Sequence, residues 1–300
     1  MADWPSIVEM HAGGVWRTAY RLVGNDADAA AQTRSDLQML RGLPGVENAT
    51  TSNQVPFVNS SWNSGVNLAP EQQQPTVVAT TYMGDDQFLD TFGIDLVAGR
   101  YFSAEELIPH AALSDPTQGI TIPGVVVTRA LAERLFPGED PLGKPIYVWG
   151  DEPARIIGVV AHLIRPGNMG GPEGSEYTMI MPVRANYDLG GQYVIRTAPG
   201  RRQEILASAS EALRANGPKR IIIEDNTRTF RELRDEYYQQ QRSMVWLLGI
   251  VCVALLLITA LGIVGLASFW VQQRSKQIGI RRALGATRGQ ILRYFQTENL

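Results

Sequence analysis

The chain has 300 residues, room for about two domains, and its 44% hydrophobic content is enough for a sizeable core. The formal net charge is only −3, and Cys252 is the single cysteine, which excludes a disulfide-stapled fold. No Cys/His cluster has metal spacing, His11, His110 and His162 are isolated, and no G-x-S-x-G nucleophile elbow occurs, so no catalytic, metal or cofactor-binding residue and no nucleic-acid partner are expected.

The first 24 residues carry neither an apolar run of signal-peptide length nor a membrane span; residues 1–27 form a leader. A helix is expected from Asp28 to Arg41, with Ala30, Thr33, Leu37 and Leu40 on one face, ended by the breakers in GLPGV. Strands are expected at Val46–Ser52, Val66–Leu68, Thr76–Met83, Ile94–Val97, Gly124–Thr128, Pro145–Trp149, Arg155–Ala161, Tyr177–Val183, Tyr193–Thr197 and Arg220–Glu224. Short helices fit Asp85–Thr91, Ser103–Leu107 and Arg129–Phe136, and a longer one fits Arg201–Ala215. Strands and helices mixed without strict βαβ alternation indicate an α+β domain over residues 28–228.

Within that domain the stretch PGEDPLGKP (Pro137 to Pro145) imitates a phosphate-binding loop, with Gly138, Gly143 and Lys144 at the required spacing. Such a loop needs a strand leading into a helix N-terminus and a hydroxyl after the lysine. Here Pro145 takes the hydroxyl's place, and the order is helix, turn, strand. The stretch therefore reads as a turn, with Lys144 a solvated turn residue.

Mean hydropathy near zero hides a strong segregation. Met244 to Val271 is 28 residues without a charge, while a helix crossing the hydrocarbon core needs about 20. No proline occurs from Thr229 to Val271 and no glycine before Gly249. One helix could therefore run through all 43 residues, about 64 Å at 1.5 Å per residue. Residues 229–243 form a stalk, with a charged face and a stripe of Phe230, Leu233 and Tyr237 suited to packing along one neighbour. Residues 244–271 form the transmembrane helix.

Residues 272–300 hold six Lys/Arg against Glu298 alone, while residues 1–242 hold 21 basic and 29 acidic residues. This asymmetry argues for a cytoplasmic C-terminal side and an exported domain, against the pull of Arg228, Arg231, Arg234 and Arg242 on the other flank. In the basic segment, Ile278 to Leu284 forms a short helix with Gly285 as its cap, and Thr287 with Gln290 makes a capping box for a second helix carrying Ile291, Leu292 and Phe295. Two readings of the segment compete: an interfacial helix with its arginines at anionic head groups, and a docking element. For docking, an apolar ridge of Ile278, Ile280 and Leu284 stands beside Arg281 and Arg282, and the small residues Gly279, Ala283, Gly285 and Ala286 permit close approach.

The block QIGIRRALGAT, directly after a charge-free span, resembles the cytoplasmic segment of the MacB/FtsX-type permease subunits of ABC transporters, with Gln277 in its first position. Upstream, LRGLPGVENAT, FGIDLVAGRYF, VVVTRALAERLFPGEDPLGKPIYV and RIIGVVAH resemble that family's periplasmic core domain, in the same order. The resemblance covers roughly residues 31–300. It implies a non-enzymatic permease subunit in a bacterial inner membrane, with ATP bound only by a separate cytoplasmic ABC ATPase. It further implies a second permease copy or paralogue, the lipid bilayer and a periplasmic adaptor as partners. Gln277, Ile278, Gly279, Ile280, Arg281, Arg282, Ala283, Leu284, Gly285 and Ala286 become the candidates for ATPase docking. Family members have one helix before the exported domain and three after it, so a fragment or an internally deleted product is expected.

The expected architecture is an α+β extracytoplasmic domain joined by a long stalk helix to a single transmembrane helix and a short cytoplasmic helical segment (272–300). Its expected action is mechanical transmission from ATP hydrolysis to the external domain. The rival is a membrane-tethered extracytoplasmic binding module with no ATPase.

Overall fold

The computed structural model describes residues 26–58, 61–114, 121–167, 174–185, 192–216 and 227–298. The leader up to residue 25, His11 and the strand expected at Arg220–Glu224 lie outside these residues. The chain divides into two compact units, Met1–Tyr237 and Tyr238–Leu300.

The first unit is α+β. Its elements are α1 (Asp26–Arg41), β1 (Val46–Ser52), β2 (Asn63–Val66), β3 (Val77–Met83), α2 (Phe88–Phe92), β4 (Leu96–Gly99), β5 (Ile108–Pro109), β6 (Val125–Thr128), α3 (Arg129–Leu135), β7 (Pro145–Ile146), β8 (Ala154–Val160), β9 (Thr178–Met181), β10 (Val183–Arg184), β11 (Gln192–Thr197) and α4 (Arg202–Ala215). A mixed sheet runs in the order β2-β3-β9-β6-β8-β4, with β7 paired to β8. Strands β6 (VVVT) and β9 (TMIM) at its centre are buried at every position, as uninterrupted apolar runs in a sheet covered on both faces must be.

Alternation sorts their side chains into two cores. Val125, Val127, Met179 and Met181 pack with Ile156 and with Leu131 and Leu135 of α3. On the opposite face, Val126, Ile180 and Val160 pack with Tyr82 and with Phe88 of α2. Beside this sheet, β1 pairs antiparallel with β11, and Leu37, Leu40, Ala49 and Ala209 form a third cluster under α1 and α4.

Two expectations need correcting. The buried face of α1 runs through Ala29, Thr33, Asp36, Leu37 and Leu40; Ala30 is only half-buried. Asp36 enters the interior because three side chains reach it: it accepts from Tyr193 Oη at 2.6 Å, Asn216 Nδ2 at 2.9 Å and Gln32 Nε2 at 3.0 Å. No hydropathy pattern places a carboxylate inside, but satisfied hydrogen bonds do.

Lys144 is the other. The helix-turn-strand order holds, with α3 leading through the turn to β7, where Pro145 pairs with Arg155. Yet the lysine is not a solvated turn residue. It is ion-paired with Glu139, its ammonium stands 4.5 Å from the centroid of the Phe136 ring, and its side chain is only 27% exposed. The turn folds the cation back onto the aromatic end of α3, where the ring quadrupole and the carboxylate both attract it.

Two further strands are shorter than expected, β7 stopping at Ile146 and Pro182 separating β9 from β10, and two are displaced, β2 lying at Asn63–Val66 rather than Val66–Leu68 and β4 at Leu96–Gly99 rather than Ile94–Val97. Strand length depends on the pairing partner, which the run itself does not reveal.

Candidate functional site

The most distinctive feature of the chain is its helical end: α5 (Phe230–Gln273), α6 (Ser275–Ala283) and α7 (Arg288–Glu298). Helix α5 starts from a capping box. The Thr229 backbone N–H donates to the Glu232 carboxylate at 2.8 Å, and the Glu232 N–H donates to Thr229 Oγ1 at 3.3 Å. The Thr229 N–H, joined by the Thr229 hydroxyl donating to the same carboxylate at 2.9 Å, holds the Glu232 carboxyl below its ordinary range. The signal T-x-x-E stands at the start of the helix in the sequence and marks this terminus.

The stripe on the first turns of α5 finds its neighbour within the same chain. Phe230 lies 5.8 Å from Phe92, centroid to centroid, and Tyr237 meets Phe57 edge-on at 6.1 Å. Behind Phe92 the rings continue inward, Phe88 stacked at 4.3 Å and Tyr82 at 5.9 Å from Phe88. Phe57 holds φ at 69°, a left-handed conformation that costs a non-glycine residue about 1–3 kcal/mol. In addition, Gln203 Nε2 of α4 donates to Glu232 at 2.8 Å.

Farther along α5, every described side chain from Arg242 to Gln273 is exposed. The helix is the one among the described residues that is long and apolar enough to cross a membrane. Exposure of Leu, Ile, Val and Phe on all sides suits hydrocarbon and no aqueous surface. Arg274 closes the span with its guanidinium 5.6 Å from the Trp270 ring, the pairing of an interfacial aromatic with a basic residue.

The next segment turns back on itself. Gly285 has φ 90°; its N–H donates to Arg282 O at 3.1 Å, and the Ala286 N–H donates to Arg281 O at 3.0 Å. These two bonds are the 5→2 and 6→1 pair of a Schellman cap. Gln290 Oε1 accepts from the Thr287 N–H at 3.0 Å, so one half of the expected capping box opens α7. Arg281 lies over the Tyr294 ring at 3.5 Å and braces the elbow between the two helices.

The ten docking candidates therefore do not form one surface. Gln277, Ile278, Gly279, Ile280, Arg281, Arg282 and Ala283 lie on α6, Leu284 ends it, and Gly285 and Ala286 form the turn. Ile278 and Arg281 are half-buried, while Gly279, Ile280, Arg282, Ala283 and Leu284 are exposed. The ridge read as Ile278, Ile280 and Leu284 is corrected to Ile280 and Leu284, which are 62% and 82% exposed. Residues two apart point to opposite sides of a helix, whereas residues four apart stack on one face. Gly279 and Ala283, also four apart, lie beside that ridge, and a side-chain carbon added at Gly279 would meet nothing within 4 Å. Among the described residues no cluster of His, Cys, Asp or Glu could hold a metal ion.

Fold and site together define a membrane protein with an α+β domain, one long apolar helix and a helical elbow after it. Residues 6–213 match the MacB-like periplasmic core domain family, and residues 249–300 match the FtsX-like permease C-terminal family. The chain thus belongs to the MacB/FtsX-type permease family.

Over 210 residues it is 29% identical to the macrolide export ATP-binding/permease protein MacB of Marinobacter nauticus, covering 68% of this chain and 30% of that protein. Over 289 residues it is 20% identical to the ABC transporter permease YknZ of Bacillus subtilis, covering 93% of this chain and 65% of that one. The chain thus spans less than two thirds of the length of either relative. Among solved structures it resembles the extracellular domain of the ABC-type transporter YknZ from Gram-positive bacteria, with 18% identity, coverage of 61% of this chain and 83% of that one, and a TM-score of 0.41.

Proposed function

We propose that this chain is a permease-type subunit of an ABC transporter, and that its long helix couples an extracytoplasmic domain to ATP hydrolysis on a separate cytoplasmic ABC ATPase. The observation that carries this reading is the exposed face of Gly279, Ile280, Ala283 and Leu284, held directly after a charge-free span by a braced elbow. Aliphatic side chains next to small ones offer a partner both apolar area and close backbone approach, which a lipid-facing helix does not require. The matches to MacB and YknZ, whose names are those of an export ATP-binding/permease protein and an ABC transporter permease, point the same way. The subunit acts by mechanical transmission and carries out no chemistry itself. Its further partners are the lipid bilayer around residues 244–271, a second permease copy or paralogue, and a periplasmic adaptor. The basic segment 272–300 lies in the cytoplasm, and residues 28–228 lie outside the inner membrane.

A pull-down of the cognate ATPase with a membrane-fractionation control tests the reading. Gly279→Glu and Ala283→Glu bury an unpaired charge in the contact and cost several kcal/mol of association, while membrane insertion is retained. Leu284→Ala weakens binding more than Ile278→Ala, because only Leu284 faces outward. Full ATPase binding by both acidic variants would replace docking with the interfacial-helix reading. Orientation is checked in parallel with an impermeant thiol reagent on intact cells, which labels Glu71→Cys and spares Ser275→Cys.

A further inference from the structure

Four arginines lie in the approach to the charge-free span, and three of them have carboxylate partners. Arg228 is ion-paired with Glu236, and Arg231 and Arg234 reach Asp235 at 4.0 and 3.6 Å. The fourth, Arg242, is joined to no carboxylate and stands over no ring among the described residues. No acidic residue occurs in the sequence between Glu236 and Glu298 to serve it. At the far end of the span, by contrast, the Arg274 guanidinium stands 5.6 Å from the Trp270 ring. Arg242 lines an open groove on the surface of α5 together with Tyr238, Val245 and Trp246. These four stand at i, i+4, i+7 and i+8, on one face of the helix, and all belong to the second unit. Arg242 and Trp246 are both exposed.

Arg242 stands two residues before Met244, where the charge-free span begins, and Trp246 stands just inside it. Along the helix axis the two are about 6 Å apart, which matches the headgroup layer of about 5–8 Å on each side of the hydrocarbon. With the indole at the hydrocarbon edge, where such rings sit, the guanidinium falls at the depth of the lipid phosphates. Its planar fork of N–H donors fits the oxygens of a phosphodiester. We propose that Arg242, flanked by Tyr238 and Trp246, binds the phosphate of an anionic, phosphatidylglycerol-type headgroup in the leaflet that the N-terminal end of the span meets. The cation that finds no counter-ion in its own chain takes one from the bilayer. A zwitterionic headgroup carries its own ammonium beside the phosphate and so holds the arginine less well. The site rests on the reading of residues 244–271 as a membrane span and requires nothing of the ATPase.

Photo-crosslinking of the full chain in phosphatidylcholine nanodiscs tests this. The probe is phosphatidylglycerol carrying a diazirine beside its phosphate, and the labelled peptides are mapped by mass spectrometry. In Arg242→Gln, labelling of residues 238–246 is expected to fall about fivefold, the loss that one arginine's attraction to an anionic surface implies. Labelling of residues 270–284 stays unchanged, and Arg242→Lys, which keeps the charge, retains most of the labelling at 238–246. Unchanged labelling of 238–246 in Arg242→Gln overturns the site. Equal labelling of the wild type by phosphatidylcholine carrying the same diazirine overturns it too. Added inorganic phosphate is expected to leave the labelling in place; its loss would make the groove a site for free phosphate and overturn the lipid assignment. Membrane fractionation of the wild type separates the two readings. A chain absent from the membrane fraction refutes span and site together, whereas a membrane-bound chain whose labelling ignores Arg242→Gln refutes the site alone.

Discussion

The α+β unit and the helical end hold their shapes by different means. In the first, Tyr82, Phe88, Val126 and Ile180 are buried by partners far away in sequence, and the fold is the sum of such contacts. In the second, every described side chain from Arg242 to Gln273 is exposed. What shapes that end is local: a capping box at Thr229, a Schellman turn at Gly285, and the ring contacts of Arg274 with Trp270 and of Arg281 with Tyr294. One region is specified by packing, the other by chain chemistry and by the solvent it meets.

Truncation should expose this contrast most strongly. Phe88→Ala opens a cavity among buried rings and costs about 3–5 kcal/mol, read as a lower unfolding midpoint of the domain. Leu256→Ala, in the exposed span, leaves that midpoint within about 0.5 kcal/mol. An equal loss from both would abolish the distinction between the two regions.

Glycines with positive φ sharpen it. At Gly99 (φ 74°) an added methyl collides with the Ile157 carbonyl oxygen and also approaches Leu142; strain and overpacking together cost about 3 kcal/mol. At Gly285 (φ 90°) an added methyl meets nothing within 4 Å. Gly285→Ala pays only the backbone term, about 1 kcal/mol, read as faster amide exchange at Leu284 to Ala286, and Gly285→Asn recovers part of it.

Thr229→Ala removes a cap and costs about 1 kcal/mol of protection in the first turn of α5, which Thr229→Ser restores. The domain midpoint stays unchanged, because the box is a property of the helix end.

Smallest is the exposed pair of Arg100 and Glu106. The guanidinium donates to both carboxylate oxygens, at 2.7 and 2.6 Å. That pairing, with the Ser103 N–H, pushes the Glu106 carboxyl from 4.5 down to about 2. A folded pKa below the unfolded value means the contribution is present above pH 4.5 and is lost as pH falls toward 2. Glu106→Gln therefore costs about 0.5 kcal/mol at neutral pH, and its deficit against the wild type narrows across that window.

Much of the fold is legible in the residues. Strands β1, β6 and β8 are found to within a residue, because VENATTS, VVVT and ARIIGVV are apolar or β-branched runs bounded by turn formers. Helices α3 and α4 are found equally well from their period. The sheet order β2-β3-β9-β6-β8-β4 is not legible, because any of these runs could pair with any other. At the candidate site the sequence locates the helix, its glycine cap and the second cap. It places Ile278 on the wrong face, since a set of apolar residues chosen by proximity ignores the helical period.

By itself the sequence determined the membrane span, the helix ends around it and the α+β class, because hydropathy, capping and propensity are properties of neighbouring residues. Only the tertiary structure decided that Asp36 and Asp85 lie inside, that Lys144 is clasped by Glu139 and Phe136, and which rings meet the stripe on α5. Burial of Asp85 raises its carboxyl pKa, and Thr50, the Gln87 N–H and Arg41 counter that by bonding to it. The two acids are accommodated because partners converge on them, and Tyr193 and Asn216 at Asp36, like Thr50 and Arg41 at Asp85, come from segments tens to more than a hundred residues away. Such convergence has no local signature, so it becomes visible only when the chain is folded.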